Sequence, residues 1–143
     1  VDRTSLLHEL HAAERRPIAS AGQLDELLPL IEEWRERNRR IVYAEGYFDG
    51  VHAGHIQYLQ RAAREGDKLV VGVISEGLAP ATTGGRSPRY SQEERASVVA
   101  ALLPVDAVIL CDEKASQPAL AACRPDVVVE RMDETVTTIA AAE

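Results

Sequence analysis

The stretch "RIVYAEGYFDGVHAGHIQYLQRAARE", residues 40–65, decides the fold. It opens with a short β-branched run, passes through a turn holding Gly46, Gly50 and Gly54, and continues as a helical stretch closed by Gly66. That order is strand, tight turn, helix. Working outward, "KLVVGVI" (68–74), "DAVILC" (106–111) and "DVVVE" (126–130) are further short runs rich in β-branched residues, the pattern of buried parallel strands. Helical stretches separate them: "SQEERASVVAALL" (91–103) and "SQPALAAC" (116–123). Strands alternating with helices predict an α/β protein with an open parallel sheet of Rossmann-like type. Ser91 and Glu94 have the Ser-x-x-Glu spacing of a capping box and fix the start of one helix.

Before this core lies a segment of helical character, so the reading is one domain with an N-terminal helical segment (1–38) and an α/β core (39–143). Leu6, Leu7 and Leu10 recur at helical spacing and stop before Pro17. His8 and His11 on that helix read as residues of a solvated face rather than as metal ligands. Leu24, Leu27, Leu28, Ile31 and Trp34 mark a second helix, in which Pro29 removes a hydrogen bond and predicts a kink. Trp34 reads as core. Between the strand ending at Ile74 and the helix after Ser91, "SEGLAPATTGGRSPRY" (75–90) predicts a long loop with the composition of a lid.

Composition narrows the chemistry. A chain of 143 residues can bury a real core as one domain. With 16 Lys and Arg against 23 Asp and Glu the net charge is -7, which disfavours a general nucleic-acid binder and requires any phosphate site to be built from local groups. Cys111 and Cys123 are too few for a disulfide framework and lack zinc-ribbon spacing, so they read as buried, reduced thiols. No apolar run approaches a membrane span and no basic leader precedes a short apolar segment, so a cytoplasmic protein is expected.

The chemistry therefore concentrates in the turn. In an open α/β sheet ligands sit at the carboxyl ends of the strands, where a strand-to-helix turn offers backbone N–H groups and a helix N-terminus to an anion. The glycine spacing fits neither the dinucleotide fingerprint nor the P-loop. Three readings of the histidines stand at this point. Asp49, His52 and His55 are a carboxylate and two imidazoles that would suit a metal if they shared a face. Both histidines can be hydrogen-bonded structural residues. Or both imidazoles donate N–H bonds to phosphate oxygens whose charge grows during displacement at phosphorus, which suits the position of the turn.

His52-Ala53-Gly54-His55 resembles the His-x-Gly-His signature of the nucleotidyltransferase superfamily, and Phe48-Asp49 stands where that family has its Phe-Asp pair. With "YSQEERASVVAALLPVDAVI" and "RPDVVVE" in the same order, residues 27 to 137 are similar to the adenylyltransferase domain of ADP-heptose synthases. The resemblance implies a nucleotidyltransferase fold and transfer of AMP from ATP to a sugar phosphate such as heptose 1-phosphate, with release of pyrophosphate. It implies Mg²⁺ accompanying the triphosphate, no other metal, a nucleoside triphosphate and a phosphorylated acceptor as partners, and a homodimer. Trp34 and the N-terminal helix would supply its apolar surface. His52, His55 and Arg131 take the catalytic positions; Gly46, Tyr47, Phe48, Asp49, Gly54 and Ser75 hold the nucleotide; Glu76, Arg86 and Arg89 hold the acceptor or pyrophosphate. Arg95 matches a family arginine at the start of the helix after the lid, and equally suits a subunit contact. The family usually carries Asn-Gly-Cys-Phe-Asp where this chain has Glu45-Gly46-Tyr47-Phe48-Asp49, and a lysine where it has Glu130. Cytidylyltransferases share the signature, and a family member that binds nucleotide without turnover is the other alternative.

Overall fold

The structure is a computed structural model that describes residues 16–75, 89–112, 117–132 and 135–140, with backbone alone at 21, 117, 131–132 and 135–140. The expected first helix with His8 and His11, and the residues Glu76 and Arg86, lie outside the described residues.

Six strands form one sheet. In chain order the elements are β1 (Ile18–Ala19), a short 3-10 turn (Ala21–Gln23), α1 (Leu24–Glu36), β2 (Ile41–Gly46), α2 (Ala53–Ala63) and β3 (Lys68–Ile74). They continue with α3 (Gln92–Ala100), β4 (Ala107–Cys111), α4 (Gln117–Cys123), β5 (Val127–Met132) and β6 (Thr135–Ala140). The spatial order is β1-β4-β3-β2-β5-β6. The first five strands are parallel, as the alternating sequence pattern requires, and β6 adds an antiparallel edge against β5. Neither edge strand was foreseen. The segment before residue 38, read as helical, also supplies the two residues of β1, which pair with Val108 and Ile109.

Both faces of the sheet are covered, which is why Ile41 to Ala44 are buried in succession instead of alternating. Val42, Ala44, Val71 and Val73 pack with Leu59 and Ala62 of α2 and with Ala96 and Val99 of α3. On the opposite face, Ile41, Tyr43, Val70 and Ile109 pack with Leu27, Ile31 and Trp34 of α1 and with Ala119 and Cys123 of α4. Trp34 is 7% exposed, so the expectation that it offers apolar surface to a second subunit is corrected: its own sheet buries it. Pro29 lies inside α1 without ending it, its side exposed. Ser91 caps α3 as expected, its hydroxyl accepting the Glu94 N–H at 3.1 Å.

The crossovers from β2 to β3 and β4 run to one side of β2, and β5 lies on the other. That reversal makes the β2/β5 edge the switch point, where an open α/β sheet leaves a crevice outside its carboxyl ends. Pairing between β2 and β5 stops at Ala44 and Val129, two residues before β2 ends at Gly46. Tyr58 of α2 reaches into this fork, its hydroxyl placed to donate to the carbonyls of Glu45 (3.3 Å) and Val129 (3.4 Å). Among the described residues no helix is long and apolar enough to cross a membrane.

Candidate active site

The turn between β2 and α2 is shaped from below by Phe48. Its ring is buried in the core under α2 and α3, and to place it there the residue adopts φ 55°, a left-handed conformation that side chains seldom take. A Cβ on Gly46 would lie 3.0 Å from that ring, so any larger residue here would press the ring aside. The result is a cleft of about 280 Å³ between Glu45–Asp49 and the His55 and Tyr58 side of α2.

His52 is the N-cap of α2, with extended backbone. Its Nδ1 accepts the Gly54 N–H at 3.0 Å, and Nδ1 of His55 accepts the His52 N–H at 3.1 Å. This is a capping box built from two imidazoles, each doing what Ser and Glu do in the common version. Because each ring accepts through Nδ1, each carries its proton on Nε2, an assignment that follows from the direction of the hydrogen bonds. The rings stand 4.0 Å apart between centroids, and the Phe48 ring lies 5.6 Å from His55. Two N–H donors are thus gathered at the N-terminus of an 11-residue helix, whose dipole favours an anion.

Asp49 anchors the chain that leads into α3. Both its carboxylate oxygens accept the Arg89 N–H, each at 3.0 Å, and one accepts the Tyr90 N–H at 3.2 Å. It ties Arg89 and Tyr90, just before α3, to the turn between β2 and α2. Arg95 makes the same connection from beneath: Nη1 donates to Tyr47 O at 2.7 Å and Ile74 O at 2.8 Å, and Nε donates to Tyr90 O at 3.1 Å. Arg95 is 1% exposed, which corrects its reading as a subunit contact; it is an internal brace at the carboxyl edge of β2 and β3. Gln92 bridges β3 and β4 at the same edge, Nε2 donating to Val73 O and Cys111 O, both at 2.9 Å. Ser75 follows β3, its N–H on Cys111 O (2.8 Å) and its hydroxyl on Asp112 O (3.0 Å).

Of the residues singled out from sequence, Gly46, Tyr47, Phe48, Asp49, His52, Gly54 and His55 come together in this one turn. Arg89 is anchored there by its main chain, and its side chain is exposed. Arg131 pairs through the backbone with Val136 on β5 and β6. Glu130, expected to end its strand, is exposed and two residues short of the end, because pairing with β6 carries β5 on to Met132. Among the described residues no three His, Cys, Asp or Glu side chains are grouped to hold a metal ion.

A polar cluster on the other face of β2 was missed. Tyr43 is buried, and its hydroxyl contacts Glu45 Oε2 at 3.2 Å and Cys111 Sγ at 3.3 Å. It passes over β3 at Gly72, where a Cβ would lie 2.2 Å from the hydroxyl oxygen and 2.9 Å from the Cys111 sulfur. The signal was present: a glycine in the middle of the buried run "KLVVGVI" marks a close approach. Burial raises the Tyr43 phenol above its ordinary range, with Cys111 and Glu45 adding to the effect, so the hydroxyl stays a donor. Burial also pushes the Cys111 thiol up to about 11.

An open, mostly parallel sheet with a helix N-terminus beside its switch point defines a class of α/β proteins whose ligands sit outside the carboxyl ends of the strands, where the helix end suits an anion. The chain belongs to the cytidylyltransferase-like family, which it matches over residues 43–142. It is 39% identical over 145 residues to the bifunctional protein HldE of Koribacter versatilis, covering 100% of this chain and 30% of that protein. With HldE of Methylobacillus flagellatus the identity is 38% over 136 residues, covering 94% and 28%. The chain therefore spans about 30% of the length of these relatives. Among solved structures, a lipopolysaccharide core biosynthesis protein from Thermoplasma volcanium superimposes with a TM-score of 0.56 at 32% identity, covering 63% of this chain and 72% of the other.

Proposed function

We propose that the chain is a nucleotidyltransferase that moves AMP from ATP to a sugar phosphate such as heptose 1-phosphate and releases pyrophosphate. The observation that carries this reading is the pair of imidazoles, ring centroids 4.0 Å apart, at the N-terminus of α2, each using Nδ1 as an acceptor and so leaving its N–H on Nε2. Phosphate is what two such donors at a positive helix end suit. Family membership and the HldE relatives support the same reaction class.

In this reading an oxygen of the acceptor phosphate attacks the α-phosphorus. The bond from that phosphorus to the bridging oxygen breaks, and pyrophosphate leaves with the electron pair. The acceptor monoester is already ionised near neutral pH, so no general base is needed and positioning with charge neutralisation supplies the rate. His52 and His55 donate to the α- and β-phosphate oxygens as negative charge shifts toward the leaving group. The nucleoside triphosphate enters as its Mg²⁺ complex. Arg131 takes the cationic role that the lysine at the position of Glu130 fills in similar proteins. Arg89, with Arg86, contacts acceptor or pyrophosphate, and two copies of the chain form the active unit.

Pyrophosphate release, measured for four nucleoside triphosphates crossed with heptose, hexose and polyol phosphates, tests the proposal. Turnover with ATP and a sugar phosphate is expected. Turnover confined to CTP would move the reaction to cytidylyl transfer, and binding without turnover under every combination would sink the enzymatic reading. Sedimentation of a monomer at high micromolar concentration would remove the dimer.

A further inference from the structure

We propose that Glu45 recognises the acceptor through its sugar hydroxyls, and that Tyr43 is the positioning residue that sets the Glu45 carboxylate for this task. The inference rests on the nucleotidyltransferase reading above and adds the substrate feature that the site selects.

Three neighbouring strands contribute to the placement of this carboxylate. Tyr43 and Glu45 project to the same side of β2, the Tyr43 hydroxyl meets Glu45 Oε2 at 3.2 Å, and Cys111 of β4 supports that hydroxyl at 3.3 Å. The strand between them, β3, gives up a side chain at Gly72, the residue paired in register with Glu45. A tyrosine in a run of aliphatic core residues needs a partner for its hydroxyl, and here that partner is the Glu45 carboxylate near the carboxyl end of β2. A carboxylate left to solvent requires none of this.

The chemistry of the group limits what it reads. An ionised carboxylate only accepts hydrogen bonds, and its field repels phosphate. Hydroxyl groups of a sugar are suitable partners, bound by charge-assisted hydrogen bonds. The geometry assigns these hydroxyls to the acceptor. His52, His55 and Tyr58 belong to α2, which packs on the Val42 and Ala44 face of β2, whereas Tyr43 packs on the α1 and α4 face and leans across β3 toward β4. Triphosphate at the α2 N-terminus and hydroxyls at Glu45 thus approach the end of β2 from opposite sides. A site that hydrogen-bonds hydroxyls rejects analogues lacking them far better than an apolar pocket does.

The test uses the full chain and the acceptor with the highest turnover in the pyrophosphate-release screen. For Glu45→Ala the acceptor KM is expected to rise at least tenfold, with kcat within threefold of the parent and the calorimetric Kd for Mg-ATP unchanged. Glu45→Gln, which keeps the shape and one acceptor oxygen, should recover part of the loss. Tyr43→Phe should raise the acceptor KM severalfold. A deoxy analogue of the acceptor should be penalised by the parent but not by Glu45→Ala. An unchanged acceptor KM in Glu45→Ala overturns the proposal. So does an effect confined to the nucleotide, detected as a weakened Kd for ATP with none for 2′-deoxy-ATP, which would give the carboxylate to the ribose. If Glu45→Ala does not fold, the Gln variant alone decides by the same split. Activity in the parent with a normal Glu45→Gln variant rejects this inference and leaves the enzymatic reading intact; a parent inactive with every acceptor rejects both.

Discussion

Nδ1 of His55 accepts the main-chain N–H of His52 at 3.1 Å, so the second histidine of the signature holds the first, and both rings carry their protons on Nε2. Each histidine therefore has two duties at different atoms. Nδ1 closes the start of α2, while Nε2 is the donor the proposed chemistry requires. Substitutions can separate the two.

His52→Asn keeps a good N-cap and His55→Gln keeps the reach back to the His52 N–H, since Asn and Gln are favoured at these capping positions. Both variants should unfold within about 1 kcal/mol of the parent, while turnover falls by a factor on the order of 10² through loss of the Nε2 donor. Urea denaturation beside pyrophosphate release checks this. Strong destabilisation with normal intrinsic rate would leave the histidines as caps only.

Arg95 should behave as a structural keystone. Its three hydrogen bonds to Tyr47 O, Ile74 O and Tyr90 O come from a buried charged group, so Arg95→Ala removes about 3 kcal/mol or more of stability. Arg95→Lys should rescue little, because one ammonium cannot reproduce the fork that spans two strands and a helix start. Chemical unfolding of both variants measures it, and a loss below about 1 kcal/mol would count against the brace.

Gly72→Ala places a methyl 2.2 Å from the Tyr43 hydroxyl oxygen and 2.9 Å from Cys111 Sγ. Overpacking of this kind costs about 1–3 kcal/mol. Removing the hydroxyl with Tyr43→Phe should relieve part of that strain, so the double mutant is more stable than the sum of the singles by about 1 kcal/mol. Additive effects would mean that the sheet shifts rather than the two side chains colliding.

Alkaline stability follows from the buried thiols. Burial pushes Cys111 up to about 11 and Cys123 up to about 12, from an ordinary 9.0. Between these limits the unfolded chain has lost thiol protons that the native chain keeps, so it binds fewer protons and stability falls as pH rises. The contribution is complete below pH 9.0 and is lost through about 11 for Cys111, with the Tyr43 phenol steepening the same limb. Urea midpoints across this range should decline, and Cys111→Ala should flatten the slope. Native Cys111 and Cys123 should also resist thiol reagents at neutral pH.

The strands β2, β3, β4 and β5 and the helices between them were legible because their signals are local: a β-branched run, an apolar period, a cap at Ser91. The His-x-Gly-His turn was legible for the same reason, since His52, Gly54 and His55 meet within one helical turn of each other. What lies outside that range was decided by the order of strands in the sheet. Asp49 finds Arg89 and Tyr90 at separations of 40 and 41 residues, and Tyr43 finds Cys111 at 68. A run of Val and Ile declares a buried strand but not its neighbours, so neither meeting is written in either segment alone. β1 is two residues long, too short for any periodicity, and exists as a strand only because β4 offers it an edge. Arg95 reads as a surface cation by type; it is buried because the ends of β2 and β3 and the start of α3 converge on it with three carbonyls, and only tertiary structure can bring those together.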